Sequence, residues 1–305
     1  MKLSPVLGAL ASLFLIVATA PAKAAEAFHG GLKLPAKAAI EMTVISSREA
    51  GDATSSATTR VRQTIEKRPG GFRVSQTSEL TAGDTKGQAL VTVARSGPID
   101  FEADGDLKPV RILNWEALLE RVRGMTPAST GLSQAALGPV QNLLPTLTPE
   151  TGALSILKEQ LFLAQPMSMD LKAGQPQVVD IAVGNPFGGA PIDAVRTIRF
   201  DGRDATTGRA VITITEILDT ASANTALRDG MRALGARTPG GQPKATEAQI
   251  ASMIFDRVVT CRYEVEAPTG LPAQTDCSIT TLITTTGAPS KTVERWVISQ
   301  SLVTP

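Results

Sequence analysis

Aromatic residues are scarce in this chain: eight Phe, two Trp and one Tyr among 305 residues. Sites for sugars and for single-stranded nucleic acids rest on aromatic stacking platforms, so the scarcity weighs against both. Histidine is scarcer still. The single His29 sits beside Gly30-Gly31 near the expected mature N-terminus, where a frayed, solvated setting is expected rather than a catalytic or metal role. An excess of one charge is also missing, with 30 Lys and Arg against 29 Asp and Glu. Without basic clusters there is no electrostatic footprint for nucleic acid or an anionic membrane surface. After residue 24 no apolar run approaches the roughly 20 residues of a spanning helix, so no transmembrane segment is expected in the mature chain.

What is present begins with an export signal. Lys2 supplies a positive start, Val6 to Ala18 is apolar apart from Gly8 and Ser12, and Ala22-Lys23-Ala24 is a small-x-small cleavage site. Residues 1–24 read as a signal peptide, with cleavage after Ala24 and Ala25 as the new N-terminus. Losing Lys2 and Lys23 with it moves the formal charge from +1 to −1. The expected location is the periplasm. No cysteine lies near the junction to carry a lipid anchor.

Cys261 and Cys277 are the only cysteines, and in an oxidising compartment they read as a disulfide. Val259, Cys261, Tyr263 and Val265 alternate with polar neighbours, as in a half-buried strand. Cys277, Ile279 and Ile283 continue a second strand, and Pro268-Thr269-Gly270-Leu271-Pro272 is a turn between them. A hairpin symmetric about Thr269 sets the two cysteines opposite one another. The bridge is worth about 3 kcal/mol in the chain-entropy model. A redox-active pair would show Cys-x-x-Cys spacing, which is absent.

The order of elements gives the fold class. Strands are expected over 39–47, 58–67, 72–80, 89–95, 99–103 and 107–113, with turns at Pro69-Gly70-Gly71, 83–87 and Asp104-Gly105. Asn114 stands as an N-cap before Trp115, Leu118, Leu119 and Val122. Further helices are expected over 132–144, interrupted at Gly138-Pro139, and over 150–165. Strands return over 178–183, 195–200 and 209–218, separated by a Gly/Pro-rich loop at 185–191 and a turn at 201–208. Helices over 222–234 and 247–255 flank a linker at 239–243, and a strand over 292–303 ends the chain. The sum is an α+β protein: a long curved antiparallel sheet, an open or partly closed barrel, with helices packed on its concave face. We expect one domain over 25–305, with helical insertions near 114–165 and 222–255.

Chemical motifs are few. Asp100-x-Glu102-x-Asp104-Gly105-Asp106 starts like a calcium loop, but Arg111 stands where the bidentate Glu belongs. Ser155-Ile156-Leu157-Lys158 matches the Ser-x-x-Lys of penicillin-binding proteins, with Ser222-Ala223-Asn224 and Lys291-Thr292 following in that order. Val293 replaces the glycine its third motif needs. Asp201 with Asp204 could in principle form a carboxylate pair, but a Gly-rich turn explains them. There is no nucleophile elbow, P-loop, dinucleotide fingerprint or set of metal ligands, so no catalytic residue, metal or cofactor is assigned. Among the apolar helical residues, Leu154, Leu157, Leu161 and Phe162 are the candidates to line a ligand pocket; plain core is the competing reading.

The leader, the meander through Asp104-Gly105, the helices and the late hairpin with Thr269-Gly270-Leu271-Pro272 resemble uncharacterised proteobacterial envelope proteins. The layout is similar to that of periplasmic lipoprotein-localisation carriers, whose unclosed barrel wraps around helices and holds acyl chains. That resemblance implies a binding protein with a curved sheet. The leading expectation is a non-enzymatic periplasmic protein for an apolar or lipid-like ligand or a lipid-modified partner. The alternatives are an envelope protein–protein interaction or assembly factor, and a serine hydrolase using Ser155 and Lys158.

Overall fold

A computed structural model describes residues 26–83, 92–93, 96–130, 132–185, 190–237, 246–284 and 289–303. The signal peptide at 1–24, Ala25, the turn at 84–87, most of the strand expected over 89–95 and the linker at 239–243 lie outside them.

The expected alternation is realised as strands. In β2 (Lys37–Ala50), Ala38, Ile40, Met42 and Val44 are buried, whereas Thr43 and Ile45 on either side of Val44 are exposed. The pattern repeats in β3 (Ala53–Arg68), β4 (Gly71–Gly83) and β5 (Ile99–Ala103), whereas the short β6 (Pro109–Ile112) buries only its two end residues. After the helices come β8 (Gln177–Val183), β9 (Ile192–Arg203), β10 (Ala210–Leu218), β11 (Ile254–Val265), β12 (Pro272–Thr284) and β13 (Ser290–Val303). These eleven strands form one antiparallel sheet in the order β6-β5-β4-β3-β2-β13-β12-β11-β10-β9-β8. β13 pairs with β2 from Thr292↔Ala50 to Val303↔Ala39, joining the two halves of the chain. The sheet is thus a single up-and-down meander that stays open, and the chain between its edge strands β6 and β8 is the main helical block.

That block comprises α1 (Trp115–Arg123), α2 (Pro127–Thr130), α3 (Gln134–Leu143), a 3₁₀ turn (Leu144–Thr146), α4 (Pro149–Ile156) and α5 (Lys158–Ala164). Leu118, Val122, Leu144, Ile156 and Leu163 join one hydrophobic cluster with inward residues of β2–β5 and β9–β13. Two details differ from expectation. Asn114 makes no side-chain cap; it accepts from Asp100 N and donates to the Pro98 carbonyl, each at 3.0 Å, pinning α1 to β5. The expected 150–165 helix breaks at Leu157 (φ −99°, ψ 48°). One continuous helix would hold Leu154, Leu157 and Leu161 on a single stripe; the break leaves Leu154 outside and Leu157 buried.

A second cluster lies at the upper end, the end carrying the β2–β3 turn. Ala223 and Leu227 of α6 (Thr220–Arg237) and Ile250 of α7 (Glu247–Ala251) pack on Ile192, Ala194, Leu218 and Phe255. The 247–255 helix therefore ends early: a Thr246/Gln249 capping box starts it, and Phe255 already belongs to β11 with its N–H held by Asn224 Oδ1 at 2.8 Å. At the lower end β1 (Ala27–His29) pairs with β7 (Asp170–Lys172), a ribbon that sequence periodicity misses. Phe28 meets Phe200 at 6.0 Å, and Lys33 N donates to the Thr269 carbonyl. Gly270 must be glycine here: its φ is +72°, and a Cβ would lie 2.2 Å from the Gly31 carbonyl oxygen. His29 is therefore not in a frayed tail. It is paired in β1, with Nδ1 3.0 Å from Asp170 Oδ1, and both side chains face solvent.

Candidate functional site

The register of the sheet stacks inward side chains into transverse rungs. One rung reads Ile198, Ile214, Cys261, Cys277, Trp296 and Ser46 across β9, β10, β11, β12, β13 and β2. Cys261 and Cys277 are bonded at its centre, as the hairpin geometry requires, and both are buried. Trp296 lies next to Cys277 on the adjacent strand, and the Phe162 ring of α5 rests on it at 6.1 Å.

The next rung towards the upper end reads Arg196, Glu216, Val259, Ile279, Glu294 and Arg48 on the same six strands. It carries charge at both ends and apolar side chains between. Arg196 Nη2 donates to Glu216 Oε2 at 2.9 Å, and Arg257, one rung higher on β11, places Nη2 3.9 Å from Glu216 Oε1. Glu216 is only 8% exposed. Glu294 and Arg48 form a looser pair at 3.7 Å. Three strand spacings separate Glu216 from Glu294, about 14 Å. Among the described residues, Arg196 Nε, Arg257 Nε and Trp296 Nε1, as well as Arg228 Nε on α6, have no hydrogen-bond partner, and the same holds for Thr275 Oγ1 and Gln300 Nε2 lower on the sheet. Arg228 uses Nη2 to hold the Met253 carbonyl at 3.2 Å. Two rungs below Val259, the fully buried Tyr263 donates to Gln165 Oε1 at 3.0 Å. Burial pushes its phenol pKa up; Arg196 opposes the shift and Glu216 adds to it.

A second polar group interrupts the lower inner face. Gln63 Nε2 donates to Gln76 Oε1 and to Gln160 Oε1, each at 2.8 Å. Gln160 Nε2 in turn donates to the Leu107 carbonyl at 3.0 Å. Leu107 is a buried residue at φ +60°, so this bond braces an uncommon backbone conformation.

The sequence-derived pocket candidates do not converge. Leu154 is 46% exposed, Leu157 is buried in the main cluster, Leu161 is half-buried, and Phe162 lies against Trp296. Two shallow surface depressions, about 410 Å³ beside Arg111 and Glu150 and about 470 Å³ beside Leu80 and Arg121, involve none of the four.

The remaining motifs serve the backbone. Asp104 Oδ1 accepts from the N–H groups of Asp106 and Lys108 at 2.9 and 3.0 Å, and no metal-binding cluster occurs among the described residues. Ser155 donates to the Thr151 carbonyl at 2.9 Å. Ser222 accepts from Asp193 N at 3.1 Å, and Asn224 holds Phe255. Asp204 caps its own turn through Thr206 and Thr207, and these bonds lower its carboxyl pKa. Asp201 accepts from Thr213 Oγ1 at 2.6 Å and pairs with Arg199.

The charged rung and the Arg257 above it had a signal in the sequence. Arg196, Glu216, Arg257, Glu294 and Arg48 each fall in phase with the buried positions of their strands, where charge is ordinarily excluded. The phase can be read from each strand alone; the alignment of five strands cannot.

No family model and no curated protein matches this chain. Among solved structures it is similar to one concerned with lipid–protein interactions in lipovitellin, at 8% identity and a TM-score of 0.37. The similarity covers 88% of this chain and 25% of that one, so this chain spans about a quarter of its neighbour's length.

Proposed function

We propose that this chain is an exported, non-enzymatic protein that holds an apolar or lipid-like ligand, or a lipid-modified partner, against the inner face of its open sheet. The observation that carries the reading is the coexistence, on adjacent rungs, of apolar side chains with buried donors that have no acceptor. Ile279 lies diagonally beside Trp296 on the adjacent strand, and the Trp296 indole N–H has no partner among the described residues although the residue is only 5% exposed. Buried donors are normally satisfied, and an amphiphile supplies both an apolar body and acceptor oxygens. The periplasmic address rests on the leader read from residues 1–24, and a buried Cys261–Cys277 bond suits an oxidising compartment.

Trp296 provides the test. With the other tryptophan removed as Trp115→Phe, titration with a monoacyl phospholipid should shift Trp296 emission to saturation at one equivalent. Emission that stays unchanged through the titration contradicts the reading.

A second reading, an envelope interaction factor, is favoured by the β8 edge. Val178 and Val179 are 64% and 45% exposed there, on a seven-residue edge strand. The opposite edge, β6, is guarded by Pro109 and covered by α4. Photo-crosslinking from position 179 in the intact envelope should yield one discrete protein adduct under this reading and none otherwise.

A further inference from the structure

We infer that Arg196 and Arg257 form a site for an anionic oxygen group, a phosphate or carboxylate, which on the binding reading above is the headgroup of the bound amphiphile. Both guanidiniums converge on Glu216, one on each carboxylate oxygen. Two positive charges against one negative leave the trio with one unit of positive charge on the inner face. Guanidinium groups only donate, so whatever satisfies the two buried Nε–H groups must bring acceptors. Anionic oxygens make the strongest such bonds.

Stability does not account for these residues. The Glu216 side chain is 10% exposed and those of Arg196 and Arg257 27% and 29%, and a pair or triad buried to this extent is generally no better than well-packed apolar side chains of the same volume. Here it interrupts strand positions that are otherwise apolar, with Ala194 and Ile198 flanking Arg196 and Ile214 and Leu218 flanking Glu216. The second ion pair, Glu294 with Arg48, carries no net charge. The excess positive charge of this rung therefore sits at the β9–β11 end. An anionic head placed there leaves Val259, Ile279 and Trp296 as the neighbouring apolar floor for a chain.

The experiment is a calorimetric titration of the full mature protein with three probes of equal acyl length: a monoacyl glycerol phosphate, a zwitterionic monoacyl phosphocholine and a neutral monoacylglycerol. Inorganic phosphate alone is the fourth arm. The protein should bind the anionic probe at least about tenfold more tightly than the neutral one. Arg257→Gln should remove most of that preference, weakening the anionic probe much more than the neutral one. Because Arg196→Gln alone would strand Glu216, the companion variant is Arg196→Gln/Glu216→Gln/Arg257→Gln, which leaves no buried charge behind. Equal affinity for anionic and neutral probes, or a preference that survives the triple change, overturns the anion site and leaves the carrier reading standing. Phosphate binding with the same arginine dependence, but no uptake of any acyl probe, supports the anion site and overturns the carrier reading. Absence of binding in every arm overturns both.

Discussion

Two of the polar groups on the inner face of this sheet are built to opposite standards. At the lower end Gln63, Gln76 and Gln160 close a chain of short hydrogen bonds that ends on the Leu107 carbonyl. At the upper end Arg196, Glu216 and Arg257 pair charges but leave the Arg196 and Arg257 Nε–H groups without partners among the described residues. A satisfied neutral network fixes register and backbone. An incompletely satisfied charged one costs desolvation and returns little stability, and the anion site proposed above is our account of why it is there. The disulfide lies one rung below the charged row, between the two.

Substitutions can sharpen this contrast, beginning with the divider itself. Replacing both Cys261 and Cys277 by Ala should cost about 3 kcal/mol in denaturant unfolding, the chain-entropy value for a loop of this length. Equal stability with and without the bond would show that it constrains nothing. Gln160→Leu should cost about 2 kcal/mol, because it orphans the Leu107 carbonyl and one Gln63 donor. A neutral outcome would remove the lower group from the structural side of the comparison.

Tyr263 adds a pH test. Burial raises its pKa above the ordinary value of 10.0. Its contribution is therefore fully present below pH 10 and is lost as pH rises beyond the point where the unfolded chain ionises. Tyr263→Phe should cost about 1 kcal/mol at neutral pH, through the bond to Gln165, and should flatten the alkaline loss. An unaltered alkaline limb would contradict the burial argument. The smallest stability effect is expected at the upper group itself. Arg196→Met/Glu216→Leu/Arg257→Met should leave unfolding free energy within about 1 kcal/mol of wild type, or raise it. A loss of several kcal/mol would make the trio structural, like its glutamine counterpart.

Much of this arrangement was legible in the sequence. Alternation in residues 39–47, 58–67 and 72–80 marks β2, β3 and β4, and symmetry about Thr269 sets Cys261 opposite Cys277, as the register confirms. The single open sheet with helices on one face follows from the element order. Pairing across the chain was not legible. The β1–β7 ribbon joins segments 141 residues apart through three-residue strands too short to show a period, and so His29 read as a tail residue. The break at Leu157 was hidden because helical spacing runs unbroken through it in sequence. The charged rung was half legible. Each charge is out of place within its own strand, but only long-range register sets Arg196, Glu216, Glu294 and Arg48 in one row.

The most direct measurement is native mass spectrometry of the protein purified from a bacterial periplasm, wild type beside Arg196→Gln/Glu216→Gln/Arg257→Gln, followed by denaturing extraction. Wild type should carry a stoichiometric excess mass that extracts as an anionic amphiphile, and the variant should carry less of it or none. A wild-type mass equal to residues 25–305 less the two hydrogens of the disulfide, with nothing to extract, would contradict the claim that the inner face exists to hold a ligand.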